Sequence, residues 1–371
     1  MDMSFYTPVT LITGKGCVSA GGPILRRAGR RCLIVTGKHG AKASGALDDL
    51  IAVLGSEGIA YTVFDGIEQN PSYASCLAAA KVAKATGAEF IVGIGGGSPL
   101  DAAKAVAVLA ACTDTSAEAM YEGRWDAAPL PVIAIGTTAG TGSEVTPVAV
   151  ITSPEGTKKS LRAASLYPMA AFGDATYTMS LSPAFTRSTA LDALAHALES
   201  YFNRTANDIS CLYALRAITL LLPMLERTAA ADATPLTYPE REALYCASLY
   251  AGLAISITGT AFPHALGYFL SEQYGIPHGN ACAVYLTAFL EHNARVAPEE
   301  CRVLFSALGT DSAAVIALIR ANLPPLGVVL TEEKIAELSP RYENHKSLKK
   351  CLGTVDRAFA ADLLRRLFFK A

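Results

Sequence analysis

The first half of the chain alternates short apolar runs with stretches of helical spacing, and this order limits the folds available to it. Four runs have the length and composition of buried strands: "CLIVTG" (32–37), "YTVFDG" (61–66), "FIVGIGGG" (90–97) and "PVIAIGT" (131–137). Between them, apolar residues recur every three or four positions, as in helices. A strand–helix–strand order predicts a parallel sheet covered by helices on both faces, with ligands beyond the carboxyl ends of its strands.

The strand signal fades after about residue 180, and helical patterns follow. They lie at residues 183–202, 210–231 and 239–256 and in the tail from residue 298. A chain of 371 residues is long enough for two domains. We therefore expect an α/β domain with a parallel sheet over residues 1–180, an all-α domain over residues 181–371 and a ligand-binding cleft between them.

Composition argues against several functional classes. The formal net charge is −2 and no basic face is evident, which argues against nucleic acid and anionic membranes as partners. No apolar run approaches the ~20 residues of a membrane span, and the N-terminus lacks the pattern of a secretory signal. The nine cysteines are scattered without a C-x-x-C pair, which indicates reduced thiols in a cytoplasmic protein.

A glycine-rich stretch, "GIGGGSPLDAAKA" (93–105), follows one predicted strand and opens a helix. Gly95, Gly96 and Gly97 would let the backbone approach a ligand closely, and Ser98 could add a hydroxyl and cap the helix. The free N–H groups at the helix start would hold a phosphate. The spacing is not G-x-G-x-x-G, and a plain strand–helix turn is the alternative, although such a turn needs one glycine rather than three.

A second polar stretch, "GTTAGTGSEVT" (136–146), follows the next predicted strand and holds four threonines, one serine and three glycines. An ordinary polar loop would also fit this composition. Since both stretches follow strands of one sheet, we expect them to meet the same ligand. Two such loops suit a pyrophosphate on one side and a nicotinamide on the other.

Asp192 and His196 lie four positions apart in an apolar helical pattern, so they share one face of the helix. An unpaired buried charge is costly, so the two residues form either a satisfied polar pair or half of a metal site. His264 and His278 stand further along, in a segment interrupted by glycine and proline. One carboxylate and three imidazoles suit a divalent first-row metal such as Fe²⁺ or Zn²⁺.

Four separate stretches, in their order and spacing, resemble the iron-containing (group III) alcohol dehydrogenase family. They are "GGGSPLDAAKA", "TTAGTGSEVT", "LDALAHALESY" and "HALGYFLSEQYGIPHG". The likeness covers essentially the whole chain, including the N-terminal "FYTPVTLITGKG". It implies an N-terminal dinucleotide-binding domain, an all-α C-terminal domain with a metal in the cleft, and a homodimer or larger homo-oligomer. This is the fold shared with dehydroquinate synthase.

The resemblance also implies roles for individual residues. The metal ligands would be Asp192, His196, His264 and His278. The contacts to the cofactor pyrophosphate would be Gly96, Gly97 and Ser98. The second loop would contribute Thr137, Thr138, Thr141 and Thr146. Further matches to family cofactor positions are Asn70, Asp101 and Lys158.

The activity implied by the resemblance is hydride transfer between NAD(P)H and a small alcohol/aldehyde pair, with the metal as Lewis acid for the substrate oxygen. One residue departs from the family pattern. Many members carry a histidine four residues after the third metal ligand, where this chain has Tyr268. If that histidine relays a proton or shapes the substrate pocket, Tyr268 must substitute for it or another path must exist.

Cofactor preference depends on the residue after the first predicted strand. NAD-preferring relatives commonly place an aspartate there, which binds the ribose 2′-hydroxyl and repels a 2′-phosphate. This chain has Gly37, followed by Lys38, His39 and Lys42. Free space and nearby cations both favour NADP(H) over NAD(H). The alternative is that Gly37 only makes a turn and that the lysines are solvated.

Two other functions stay open from the sequence. One is a metal- and NAD-dependent lyase of the dehydroquinate synthase type, although few basic residues surround the proposed ligands to bind a phosphorylated substrate. The other is a metal-free protein, for instance a metal-free reductase on the same fold, in which Asp192 and His196 are structural. The N-terminal "VTLITG" could pair across a subunit interface or form an internal edge strand.

Overall fold

A computed structural model describes residues 5–230 and 234–369 of the chain. The chain divides into two compact units. Of the described residues, one unit contains 5–182 and 236–245, and the other contains 183–230, 234–235 and 246–369. The domain boundary after residue 180 stays a prediction.

The first unit is built on a six-stranded parallel sheet with a separate antiparallel hairpin. The strands are β1 (Thr10–Thr13), β2 (Arg31–Thr36), β3 (Ala60–Phe64), β4 (Phe90–Gly95), β5 (Val132–Gly136), β6 (Val148–Thr152), β7 (Lys158–Arg162) and β8 (Ala170–Gly173). The sheet order is β1-β8-β5-β4-β2-β3, and β6 pairs with β7. The helices of this unit are α1 (Gly22–Ala28), α2 (Gly40–Ala43), α3 (Ala46–Ser56), α4 (Tyr73–Thr86), α5 (Gly97–Ala111) and α6 (Ala117–Glu122).

Apolar side chains alternate between the two faces of this sheet. On β2, Leu33 and Val35 belong to the hydrophobic core that includes residues of α4 and α5, whereas Cys32 and Ile34 belong to the core on the other face. A strand buried on both faces reads as a continuous apolar run, which is why the sequence predicts it well. The parallel sheet with helices on both faces is confirmed.

The outer strands behave differently from the central ones. Strand β3 was predicted as a buried strand, and this was wrong, because β3 lies at the sheet edge with Tyr61 and Val63 exposed. At the other edge, β1 pairs in parallel with β8. An edge strand has a neighbouring strand on one side only, so its outer side is open to solvent.

The second unit is helical, as predicted. Its helices are α7 (Pro183–Tyr201), α8 (Asp208–Ala229), α9 (Tyr238–Thr258, which begins in the first unit), α10 (Phe262–Tyr274), α11 (His278–Ala283), α12 (Leu286–Val296), α13 (Pro298–Leu308), α14 (Ser312–Asn322), α15 (Glu332–Leu338) and α16 (Arg357–Phe368). Pro183 begins α7, which suits the first turn of a helix because proline has no N–H to leave unpaired there. Every residue from Ala190 to Ser200 is buried, so α7 forms the centre of this unit.

Helix α8 is long and apolar enough to cross a membrane by length and composition, with a mean hydropathy of 1.5. Up to three segments would qualify if each of two sharply bent helix pairs counted as one span. The expectation of no such run was therefore wrong. The helix buries Ala214, Ile218, Leu221 and Leu225 on one face and packs on α7. Helix α8 thus reaches the hydropathy of a membrane span while it packs one face against α7. The absence of a membrane partner stays a prediction.

Candidate metal centre and cofactor loops

Three helices of the second unit carry the predicted metal ligands. Asp192 and His196 lie one turn apart in the buried middle of α7. His264 lies in the first turn of α10, where Pro263 fits because that turn leaves backbone N–H groups unused. His278 is the first residue of α11. The side chains of Asp192 and His264 are each 3% exposed, whereas that of His278 is 28% exposed.

Two glycines allow these helices to approach closely. A Cβ atom on Gly279 would lie 1.8 Å from the carbonyl oxygen of Ser188 and 3.1 Å from Cβ of Asp192. A Cβ on Gly267 would lie 2.8 Å from the carbonyl oxygen of Ala281. No side chain fits at such distances, so the two glycines bring the backbone of α11 against both α7 and α10.

This packing brings four potential ligand atoms together. They belong to Asp192, His264, His278 and Cys282, and all lie within 4.8 Å of one another. Oδ1 of Asp192 lies 3.6 Å from Nε2 of His264 and 3.7 Å from Nε2 of His278. Three of the four predicted ligands therefore share one cluster, in which Cys282 is the fourth member.

The cluster fits a divalent metal. Within the described ranges, neither Oδ1 of Asp192 nor Nε2 of His264 has a hydrogen-bond partner, although both atoms are buried. An unsatisfied buried polar atom costs about 1–3 kcal/mol, so such a pair needs a further binding partner. Carboxylate, imidazole and thiolate are the ligands that Zn²⁺ takes in proteins, and imidazole and carboxylate also bind Fe²⁺.

His196 and Tyr268 lie beside this cluster. The ring of His196 stacks on that of His264, with centroids 4.5 Å apart and an interplanar angle of 18°. The ring of Tyr268 stacks on that of His278, with centroids 6.1 Å apart and an angle of 19°. His196 as a metal ligand and Tyr268 as a catalytic residue stay predictions, and both side chains are placed next to predicted ligands.

Glu199 is a site residue that the sequence analysis missed. Its fully buried carboxylate accepts a hydrogen bond from the backbone N–H of Ala261 at 2.5 Å and contacts Nδ1 of His264. A proton on Nδ1 leaves the lone pair on Nε2, the atom that faces Asp192. The available signal was the position of Glu199, seven residues after Asp192 on the same apolar helix.

Electrostatic interactions within the cluster oppose the effects of burial. Burial raises the pKa of Asp192, but the nearby imidazoles of His196, His278 and His264 hold it below its usual range. For His264, burial lowers the pKa, but the charges of Cys282 and Glu199 raise it well above the ordinary value. Asp192 is therefore held as a carboxylate, the form that binds a cation.

Several predicted cofactor residues lie at the carboxyl ends of the parallel strands in the first unit. Strands β2, β4 and β5 are neighbours, and their carboxyl ends are followed by Gly37, Gly96 and Thr137 respectively. Parallel strands end at the same edge, so these three positions lie side by side. This is the edge at which open α/β sheets bind ligands.

The two loop stretches, 93–105 and 136–146, contact each other, and their binding of one shared ligand stays a prediction. A Cβ on Gly96 would lie 3.0 Å from Oγ1 of Thr138, and one on Gly97 would lie 2.7 Å from Cγ2 of Thr141. The first stretch therefore packs against the second through its glycines. Helix α5 begins at Gly97 with Gly96 as N-cap, so the expectation that Ser98 caps this helix was wrong.

Ser98 instead connects to a third loop. Its Oγ accepts a hydrogen bond from the backbone N–H of Asn70 at 3.2 Å. Asn70 has a φ of 57°, a left-handed conformation that asparagine tolerates better than most residues. Its carbonyl oxygen accepts a hydrogen bond from Oγ1 of Thr152 at 3.2 Å. Asn70 is therefore held next to the start of α5, where it was predicted to contact the cofactor.

Other predicted cofactor residues take part in an internal network. Asp101 accepts hydrogen bonds from Oγ of Ser143 at 2.6 Å and from the backbone N–H of Val150 at 2.8 Å. The buried ammonium of Lys104 donates to the carbonyl of Ser143 at 2.7 Å and to Oγ1 of Thr146 at 3.3 Å. Burial lowers the pKa of Lys104 to about 8. These side chains fix the second loop, and direct contacts of Asp101 and Thr146 with a cofactor stay predictions.

Two further predicted residues lie near this network. Thr137 is buried, and its N–H donates to the carbonyl of Gly95 at 2.8 Å, joining the ends of β4 and β5. Lys158 begins β7. Burial raises the pKa of the Asp101 carboxyl, and the positive charge of Lys158 partly offsets that rise. Lys104 was missed because a lysine on a helix is ordinarily solvated.

Gly37 follows β2 and is crowded on one side. A Cβ at this position would lie 3.1 Å from the carbonyl oxygen of Ile67. Lys38, His39 and Lys42 are exposed, so their side chains are accessible to a ligand. The nearby carbonyl of Ile67 favours a small residue at Gly37, and the discrimination between cofactors at this position stays a prediction.

Comparison with known proteins places both parts of the chain. Residues 8–175 match the family model for iron-containing alcohol dehydrogenase, and residues 186–337 match that for the C-terminal part of the Fe-containing alcohol dehydrogenase family. Alcohol dehydrogenase 4 of Schizosaccharomyces pombe is 32% identical over 295 residues, which cover 79% of this chain and 69% of the relative.

Solved structures agree over nearly the full length. An iron-containing alcohol dehydrogenase from Thermotoga maritima superimposes with a TM-score of 0.90 at 35% identity, covering 98% of this chain and 99% of the other. A sulfoacetaldehyde reductase from Bifidobacterium kashiwanohense, solved in complex with NAD⁺, gives a TM-score of 0.88 at 30% identity, covering 99% of each chain. Similarity of this extent includes the helices and strands that carry the candidate site.

Proposed function

The chain belongs to the iron-containing alcohol dehydrogenase family, and from this premise we propose that it transfers hydride between NADP(H) and a small alcohol/aldehyde pair. We propose that a divalent metal, Fe²⁺ or Zn²⁺, is held by Asp192, His196, His264 and His278. The observation that carries the proposal is the buried Oδ1 of Asp192, which lies 3.6 and 3.7 Å from two imidazole nitrogens.

In this proposal the protein orients the reactants and controls charge. When bound, the metal would act as a Lewis acid for the substrate oxygen and the reduced nicotinamide would supply the hydride. Asp192 provides the negative charge that holds the cation, and Glu199 fixes the ring of His264 so that Nε2 faces it. Tyr268, stacked on the partly exposed His278, shapes the substrate side of the site and takes the place of the histidine found in many relatives.

The sheet edge of the first unit supports the proposed cofactor site. The backbone N–H groups at the start of α5, with Gly96, Gly97 and Ser98, would hold the pyrophosphate. The second loop would face the nicotinamide side with a set of hydroxyl groups, from Thr137, Thr138, Thr141 and Thr146. Asn70, Asp101 and Lys158 would complete the site directly or through the network described above.

The proposed preference for NADP(H) rests on this chain's own residues. No carboxylate stands at Gly37, and Lys38 and Lys42 are exposed nearby. Arginine and lysine side chains bind phosphate groups through charge-assisted hydrogen bonds. The sulfoacetaldehyde reductase was solved with NAD⁺, so both cofactors must be compared directly for this chain.

We also propose a homodimer or larger homo-oligomer located in the cytoplasm. The exposed edge strand β1, with Leu11 at 38% exposure, offers backbone groups and apolar surface to a second copy. The cysteines form no disulfide bond among the described residues, which suits a reducing compartment. Light scattering at micromolar concentration tests the assembly, and a monomer there contradicts it.

The experiment that tests the function combines metal analysis with an assay of NADPH and NADH consumption across a panel of aldehydes. We expect one divalent metal per chain and aldehyde-dependent oxidation of the reduced cofactor. Turnover without bound metal would favour a metal-free reductase. Absence of aldehyde reduction, together with phosphate release from a phosphorylated substrate, would favour a lyase of the dehydroquinate synthase type.

A further inference from the structure

We propose that Cys282 is an additional ligand of the metal centre and that its thiolate makes the site prefer Zn²⁺ to Fe²⁺. This inference rests on the proposed metal-dependent function and extends it to a residue outside the four ligands implied by the family. It follows from the position of the thiol relative to Asp192, His264 and His278.

The helix geometry places Cys282 beside His278. The two residues are four positions apart at the start of α11, so their side chains project from the same face. Sγ of Cys282 lies 3.9 Å from both ring nitrogens of His278. Two ligands on one tetrahedral zinc ion, at about 2.3 Å for sulfur and about 2.0 Å for nitrogen, lie roughly 3.5 Å apart. The observed Sγ–Nε2 distance is a few tenths of an ångström longer than this. Because Sγ lies equally far from Nδ1, one of the two side chains has to rotate for both to bind the same ion.

A second observation points to a shared ion. The cluster that contains Cys282 also contains Oδ1 of Asp192 and Nε2 of His264, two buried atoms without hydrogen-bond partners in the described part of the chain. The side chains of these two residues are each 3% exposed. A cation among the four atoms would satisfy both unpartnered atoms and the thiolate together.

Other buried thiols in this protein have different surroundings. Sγ of Cys351 donates to the carbonyl oxygen of Ser347 at 3.5 Å, and Sγ of Cys112 donates to that of Ala127 at 3.7 Å. These contacts are those of a thiol that fills a core. Cys282 is equally buried, but its sulfur lies among nitrogen and oxygen atoms that can bind metal.

The chemical consequence concerns metal selection. Binding as a ligand releases the thiol proton to solvent, and the thiolate with the Asp192 carboxylate then balances the two positive charges of the ion. Thiolates are soft ligands that favour zinc, whereas carboxylate and imidazole alone distinguish less between zinc and iron. Cys282 would thus determine which metal the purified protein retains.

The test replaces the native metal with Co²⁺ and records the absorption spectrum. A thiolate bound to Co²⁺ gives a near-ultraviolet charge-transfer band that oxygen and nitrogen ligands do not give. We expect this band in the wild type and in the control Cys351→Ser, and its loss in Cys282→Ser and Cys282→Ala. We also expect the ratio of zinc to iron, taken up anaerobically from an equimolar mixture, to fall on the order of ten-fold in Cys282→Ser.

The outcomes separate this inference from the proposed function. Stoichiometric Co²⁺ in the wild type without the band, or a band that persists in both Cys282 variants, overturns the inference and leaves the metal site intact. A wild-type protein that binds no divalent metal rejects the proposed function itself. Circular dichroism of the variants shows whether they are folded, and Cys282→Ala serves if Cys282→Ser is not.

Discussion

Glu199 contacts Nδ1 of His264, and the opposite nitrogen of the same ring, Nε2, lies 3.6 Å from Oδ1 of Asp192. The imidazole is thereby fixed between a carboxylate that orients it and a carboxylate that shares its proposed metal. Such an arrangement selects the tautomer with a lone pair on Nε2. The three residues come from α7 and α10, so the relationship depends on how these helices pack.

Glu199→Gln is expected to weaken metal binding by about 10–100-fold, because outer carboxylates that orient a ligand histidine commonly have effects of this size. The measurement is a competition titration of the metal against a chelator. Glu300→Gln, which alters an exposed carboxylate of the same unit, is the matched control and should bind metal as the wild type does. Equal affinities of wild type and Glu199→Gln would remove the orienting role.

Gly279→Ala is expected to disrupt the metal centre through packing alone. Its Cβ would lie 1.8 Å from the carbonyl oxygen of Ser188, so α11 must move away from α7. We expect the free energy of unfolding to fall by about 1–3 kcal/mol and the metal content to fall with it. Gly55→Ala is the control, since a Cβ there meets nothing within 4 Å and the substitution should be neutral or stabilising. Normal metal content and stability in Gly279→Ala would show that the close approach is not required.

Lys104 gives a prediction about pH. Burial lowers the pKa of Lys104 from 10.5 to about 8. The charged lysine therefore lowers the free energy of unfolding below about pH 8, and this destabilisation disappears as the pH rises to 10.5. The full effect of this pKa difference is about 3 kcal/mol. The stability of the wild type should therefore rise relative to that of Lys104→Met between about pH 8 and 10.5. Chemical denaturation of both proteins across this range measures the difference, and parallel pH profiles would contradict it.

The central elements of the sheet could be predicted from sequence because burial on both faces leaves a continuous apolar signature, as in β2 and β4. Strand β8 (Ala170–Gly173) could not be predicted, because it has only four residues and three of them are small. Hairpin β6–β7 was missed for a different reason. Strand β7 is largely polar, so it shows no apolar run.

Only some residues of the candidate site could be identified from the sequence. Spacing on one helix placed Asp192 and His196 on the same face, and the family resemblance added His264 and His278. Glu199, Lys104 and Cys282 could not be singled out, because a carboxylate, a lysine or a lone cysteine on a helix usually has a solvated or core role. Only the packing of α7, α10 and α11 gives Glu199 and Cys282 neighbours that indicate a function.

Gly37→Asp is expected to shift cofactor preference from NADPH towards NADH, because a carboxylate there would repel a 2′-phosphate. The added Cβ lies 3.1 Å from the carbonyl oxygen of Ile67, so part of any effect could come from crowding. Gly37→Ala separates the two causes, since it adds the Cβ without the charge. The measurement is kcat/KM with each cofactor for the three proteins.

The Gly37 account predicts that the NADPH/NADH ratio of kcat/KM exceeds one in the wild type and Gly37→Ala and falls in Gly37→Asp. A wild type that prefers NADH would contradict the proposed specificity. A ratio that falls equally in Gly37→Ala and Gly37→Asp would assign the effect to backbone crowding instead of charge.

The central claim is that Asp192, His196, His264 and His278 hold a divalent metal on which aldehyde reduction depends, and His264→Ala tests it most directly. Metal content by elemental analysis and the rate of cofactor oxidation with aldehyde are measured on the same preparations of wild type and variant. We predict that both quantities fall together in the variant, because a lost ligand weakens metal binding and the polarisation of the substrate oxygen. Full metal occupancy with unchanged turnover in His264→Ala would contradict the account.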